Sequence, residues 1–113
     1  MSRRTKAEQR AADRERTRIE DVKQIMALPC GRRFVFDLID RRCKLFSGSF
    51  SGDPHLTSYR EGGRAIGIEL ASELQRLCSG QYVQMIEDQF NEQHKDRLIE
   101  EISATEAKQG EDA

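Results

Sequence analysis

Tryptophan is absent from the sequence, and proline occurs only at Pro29 and Pro54. No apolar run approaches the roughly 20 residues that a membrane span needs. The basic opening MSRRTKAEQR is not followed by an apolar stretch, so no secretory signal is expected. Cys30, Cys43 and Cys78 form no CxxC and no close pair, which argues against a disulfide framework. Together with His55 and His94 they lack the paired spacing of a zinc site and read as buried or half-buried free thiols. Catalytic patterns are missing as well. G-x-S-x-G does not occur, and GSFSGD and GGRAIG have neither the lysine nor the glycine spacing of a phosphate loop. Glu87 and Asp88 are adjacent, so on a helix they point in different directions and make no carboxylate pair. No catalytic residue, metal-ligating set or cofactor is expected, and the chain reads as a non-enzyme.

Charged residues make up 35% of the chain and hydrophobic residues 36%, which suits one small helical domain and not a large core. Charge is unevenly spread. Residues 1–45 hold 13 lysines and arginines against 7 acids, and the remaining residues hold 6 against 13. This polarity reads either as solvated faces or as a means of steering self-association or a nucleic-acid contact at the basic end.

The expected architecture is all-α, a small bundle of three to four helices with a Ser/Gly/Phe loop and disordered charged termini. Residues 1–18 form a basic arm, disordered or helical, because only Ala7, Ala11 and Ala12 interrupt its polar residues. The helical domain spans 19–102, and an acidic disordered tail follows over 103–113. Ile19, Val22, Ile25 and Met26 start the helical period, and a first helix ends near Leu28 because Pro29 pushes the preceding residue out of the helical region. A second helix starts at Pro29 and runs to about Lys44, with Phe34, Val35, Leu38 and Ile39 on its apolar face. Leu45 to Pro54 reads as a loop in which Phe46 and Phe50 fold back as core plugs. A hairpin across FSGSF would be marginal alone. Asp53 is placed to cap a helix from Pro54, with Thr57 and Glu61 as a second possible start.

The central element is Thr57 to Leu77, where Leu56, Tyr59, Gly63, Ile66, Leu70, Leu74 and Leu77 recur at helical steps. Its glycines each cost about 1 kcal/mol relative to alanine in a helix, so they mark a close crossing. The crossing set is Gly31, Glu61, Gly62, Gly63 and Gly67. Gly80 suits a left-handed cap, and a fourth helix follows from about Gln81 to Ile102. Arg32, Arg33, Arg60 and Arg64 are the candidate partner or anion contacts, set against a plainer reading as a rim of ion pairs at helix junctions.

GRRFVFDLI at Gly31–Ile39, LFSGSFSGD at Leu45–Asp53 and TSYREGGRAIGIEL at Thr57–Leu70 together resemble the Bbp-nineteen-like phage domain, a small protein of short-tailed bacteriophages. The shared positions are Gly31, Arg32, Arg33, Phe46, Phe50, Thr57, Glu61, Gly62, Arg64 and Gly67, with Phe36 standing where a tryptophan is expected. The resemblance implies a virion or morphogenesis component encoded beside portal and capsid genes, and it brings no catalytic residues. The expected function is a bacteriophage virion structural or internal protein, in the head interior or at the portal vertex. Its expected partners are portal, capsid or internal virion proteins, or further copies of itself, in the virion or in host cytoplasm during assembly. The alternatives are an assembly scaffold or chaperone absent from mature virions, and a small nucleic-acid-binding protein using the basic arm for a weak DNA contact.

Overall fold

A computed structural model describes residues 3–111. Among them are four α-helices and no strand: α1 (Lys6–Ala27), α2 (Pro29–Asp37), α3 (Pro54–Leu77) and α4 (Ser79–Glu111). The chain is all-α, and FSGSF forms no hairpin.

Local chemistry sets the helix starts. Thr5 accepts a hydrogen bond from the Glu8 backbone N–H, and the Glu8 carboxylate accepts one from the Thr5 N–H, each at 3.1 Å. This reciprocal cap satisfies two otherwise orphaned donors and starts α1 within the arm. Leu28 alone separates α1 from α2, with φ −94° and ψ 135°, the extended geometry that a following proline imposes. Pro29 then opens α2, where its missing N–H costs nothing. A π-helical turn over Leu38–Arg42 continues α2, and the Cys43 N–H donates to the Leu38 carbonyl at 2.9 Å. Lys44 ends it in the left-handed region at φ 57°. Asp53 caps α3 by accepting from the His55 N–H at 2.9 Å.

The expected left-handed glycine at position 80 does not occur. Cys78, at φ −151° and ψ 63°, is the single residue between α3 and α4, and Gly80 lies inside the first turn of α4. Of the two forms expected for the arm, disordered or helical, residues 6–18 take the helical one. The segment from Ser103 differs from expectation: expected to be disordered, it is helical to Glu111, and residues 112–113 of that tail lie outside the described residues. Good helix formers and local pairs such as Lys95–Glu92 at 3.6 Å carry the helix where packing no longer does.

The bundle is thin. It extends over 84 × 39 × 15 Å with a radius of gyration of 21.2 Å, against about 13 Å for a compact chain of this length. Its core is Met26, Ile39, Leu74, Cys78 and Met85, edged by Val22, Val35, Phe36, Leu45, Leu70 and Tyr82. On α3 the buried stripe is Gly67, Ala71 and Leu74, continued by Cys78. The expected face through Leu56, Tyr59 and Ile66 is therefore rotated outward, with Tyr59 80% and Ile66 62% exposed. Phe34, expected inside, is exposed as well. A sheet of helices this thin has one shallow interior and cannot cover every apolar stripe.

Candidate partner-binding surface

The arginines singled out in the sequence do not share one surface. Arg32 turns inward, where its Nε meets Asp88 Oδ2 at 2.7 Å and its guanidinium donates to the Met26 and Ala27 carbonyls at 3.2 Å each. It thereby joins the open carbonyl end of α1 to α4 across the start of α2. Hydrogen bonds from Gln84 and Arg32 hold the Asp88 carboxyl below the usual carboxylate range. Arg33, one residue on, is exposed. Arg64 donates from Nε to the Leu45 carbonyl at 3.3 Å. Arg60, one turn before it on α3, instead lines the cleft described below.

Arg64 belongs to a set that fixes the loop to α3. Thr57 Oγ1 accepts from the Ser51 N–H at 2.8 Å and donates to the Ser51 carbonyl at 3.1 Å. Ser49 Oγ reaches Glu61 at 3.4 Å. Thr57, Glu61, Arg64 and Gly67 fall on successive turns of α3, and each meets the segment from Cys43 to Ser51. A Cβ at Gly67 would stand 2.8 Å from the Cys43 Cβ, so this glycine is the tight point of the crossing. Gly63 has only the Cys43 carbonyl oxygen, at 3.8 Å, and Gly62 has nothing within 4 Å. Gly31 is tight in another place, where any Cβ would collide with the Ile25 carbonyl at the end of α1.

The loop phenylalanines do not act as core plugs. Phe46 stacks on Phe36 with ring centroids 6.1 Å apart but remains 57% exposed, and Phe50 is 86% exposed. Thr57 and Ser51 bind the loop backbone along α3, which leaves Phe50 pointing away from the core. Beside Phe46, a cleft of about 320 Å³ also includes Phe36, Ile86 and Phe90.

A larger cleft, about 710 Å³, lies between the π turn and the N-terminal half of α3. Arg41, Arg42, Lys44 and Arg60 surround it, Leu56, Tyr59 and Ile66 supply its apolar wall, and no carboxylate lines it. Arg41 pairs with Asp37 at 3.2 Å on an exposed surface, while Arg42, Lys44 and Arg60 have no ion pair among the described residues. Arg41, Arg42 and Lys44 were not among the candidate contacts drawn from the sequence. The run RRCK was the available signal, and only the fold brings Arg60 to it.

The cleft thus joins a basic rim to an apolar wall. The model of the Bbp19-like phage protein family matches residues 22–87, more than half of the chain. The chain belongs to that family. No curated protein and no solved structure matches it. The Bbp19-like segment runs from the end of α1 through the Arg32 clamp, the loop and all of α3, and ends at Glu87 in the first half of α4. Thr57, Glu61, Arg64 and Gly67, on which the resemblance rests, lie within the matched segment and form the loop attachment. Arg32 coincides with the helix clamp. Among the described residues of this phage protein no three His, Cys, Asp or Glu side chains gather as metal ligands, and no helix is long and apolar enough to cross a membrane.

Proposed function

We propose that this phage protein is a structural or internal component of the particle, in the head interior or at the portal vertex. It works through protein–protein contacts and performs no catalysis. Its place is the virion, or the host cytoplasm while particles are being built. The observation that carries this reading is the apolar surface left uncovered on a thin bundle: Phe34, Phe46, Phe50, Tyr59, Ile66 and Phe90 are all exposed. Phe46 and Phe90 border one cleft and Tyr59 and Ile66 another, and large exposed apolar patches mark sites that other proteins cover.

Mass spectrometry of purified particles tests the proposal, together with deletion of the gene. The protein is expected in mature particles, and its loss is expected to reduce particle yield or DNA content. Its absence from mature particles that nonetheless require it would make it a scaffold or chaperone. Normal infectivity without the gene would end the proposal.

A nucleic-acid contact is the second reading, favoured by the exposed basic arm, with Arg3 and Arg4 ahead of α1 and Lys6, Arg10 and Arg14 in its first half. A gel shift that weakens steeply with salt would support it, and no binding at low salt would remove it.

A further inference from the structure

We infer that the basic cleft between the π turn and α3 receives the acidic distal end of α4 from a second copy of the chain. The inference rests on the reading of this protein as one that works by protein contact, and it names one such partner.

The cleft asks for an occupant that is both anionic and apolar. Arg42, Lys44 and Arg60 have no ion pair there among the described residues, and Leu56, Tyr59 and Ile66 form its exposed wall. Opposite-charge surfaces of this kind steer encounter and fix orientation. The distal half of α4 meets the requirement. Residues 91–110 are all exposed, so nothing in the same chain covers them. Leu98, Ile99 and Ile102 share one helical face, Glu106 follows one turn after Ile102, and Glu101 flanks that face. Between positions 98 and 110 the charges are Glu100, Glu101 and Glu106 against Lys108 alone.

Within one chain the two surfaces do not meet: the cleft is lined by the π turn with the residues just after it and by α3, and residues 91–110 are exposed along the continuous helix α4. The basic arm of another copy is a poorer match for the tip. Glu8, Asp13 and Glu15 dilute its charge, Asp13 already pairs with Arg16, and alanines are its only apolar residues. A single-stranded nucleic acid is the other polyanion that fits a basic cleft, but it would find only one aromatic side chain, Tyr59, on which to stack a base. A cleft-to-tip contact joins two different surfaces, so it propagates head to tail into a ring or a filament.

Analytical ultracentrifugation of the full-length protein at low and high salt tests this. The mean mass is expected to rise with concentration at low salt and to return to that of the monomer at high salt. Two variants carry the test: Arg42→Glu with Arg60→Glu in the cleft, and Glu101→Arg with Glu106→Arg at the tip. Each alone is expected to weaken association about tenfold or more. Mixing the two restores opposite charge across the contact and is expected to restore association. Thermal melts of both variants within a few degrees of the wild type establish that each is folded.

A wild-type protein that stays monomeric at every salt and concentration overturns the inference, while leaving the particle-component reading to be decided by mass spectrometry. A mixture that fails to associate overturns the pairing of these two surfaces. Binding of a single-stranded oligonucleotide that the cleft variant loses, with no self-association, assigns the cleft to nucleic acid and also overturns it.

Discussion

Alanine at Gly67 is expected to leave the protein less stable than alanine at Gly62, although both replace glycine in the same helix. Each substitution regains helix propensity, about 1 kcal/mol in favour of the folded state. At Gly62 nothing lies within 4 Å of the new Cβ, so the gain stands alone. At Gly67 the new Cβ meets the Cys43 Cβ at 2.8 Å, where carbon atoms settle at about 3.5–4.0 Å. The Cys43 Cβ is fixed to its backbone and cannot swing away, so α3 and the end of the π turn must part by up to about 1 Å. Overpacking of this kind costs about 1–3 kcal/mol. The propensity gain is common to both variants, and the gap between them therefore isolates the crossing. A domain of this size shifts its Tm by about 4–8 °C per kcal/mol, which thermal denaturation followed by circular dichroism resolves. Gly62→Ala is expected to melt above the wild type and Gly67→Ala clearly below Gly62→Ala. Coincident melting temperatures for the two variants would refute the claim that Gly67 is where the backbones meet.

Three further outcomes follow from the clamp and the thiols. Arg32→Ala is expected to lose about 1–3 kcal/mol in chemical denaturation, because it leaves Asp88 with Gln84 as its one remaining side-chain donor and takes the guanidinium from two helix-end carbonyls. Arg33→Ala is expected to stay within about 0.5 kcal/mol of the wild type, and equal losses would mean that the clamp is misassigned. The Asp88 carboxyl titrates below its unfolded value of about 3.9, so its stabilising contribution is present above that pH and is lost as pH falls through the folded value. The Tm gap between wild type and Asp88→Asn is therefore expected to narrow under acid, and a gap independent of pH would contradict it. Cys30 is exposed while Cys43 and Cys78 are buried, and burial raises the Cys78 thiol above its ordinary value. A maleimide is expected to label one thiol per native chain and three after denaturation; rapid labelling of all three in the native protein would contradict the core.

What could be read from the sequence was what short-range chemistry decides. Pro29 and Asp53–Pro54 placed two helix starts because their effects reach only one or two residues. Thr5 and Glu8 form an equally local start signal for α1, in an arm that has almost no apolar residues to extend the pattern. The inward stripe of α3 was less legible. Periodicity put Tyr59 and Ile66 on the inward face, whereas Gly67 and Ala71 turn inward because Gly67 meets Cys43 and Leu74 lies in the core with Met85. The arginines show the same limit. Arg32 and Arg33 are neighbours in sequence, yet Asp88, 56 residues away from Arg32, claims only one of them. Arg60 and Arg64 share a face in projection, but the loop captures Arg64 and leaves Arg60 beside Arg42 and Lys44.

The joint at Cys78 has a mechanical consequence. One residue connects two helices of 24 and 33 residues, so the link has no slack to absorb strain. The longer helix is then a lever whose short arm packs on Ile39 and Met26 through Met85, while its long arm stands free. A rotation of about 10° at the joint would sweep the far end through roughly 9 Å, given a helix of about 50 Å. Small repacking around Met85, of the order produced by one altered core side chain, would thus be amplified into a displacement large enough to re-aim the distal surface of α4.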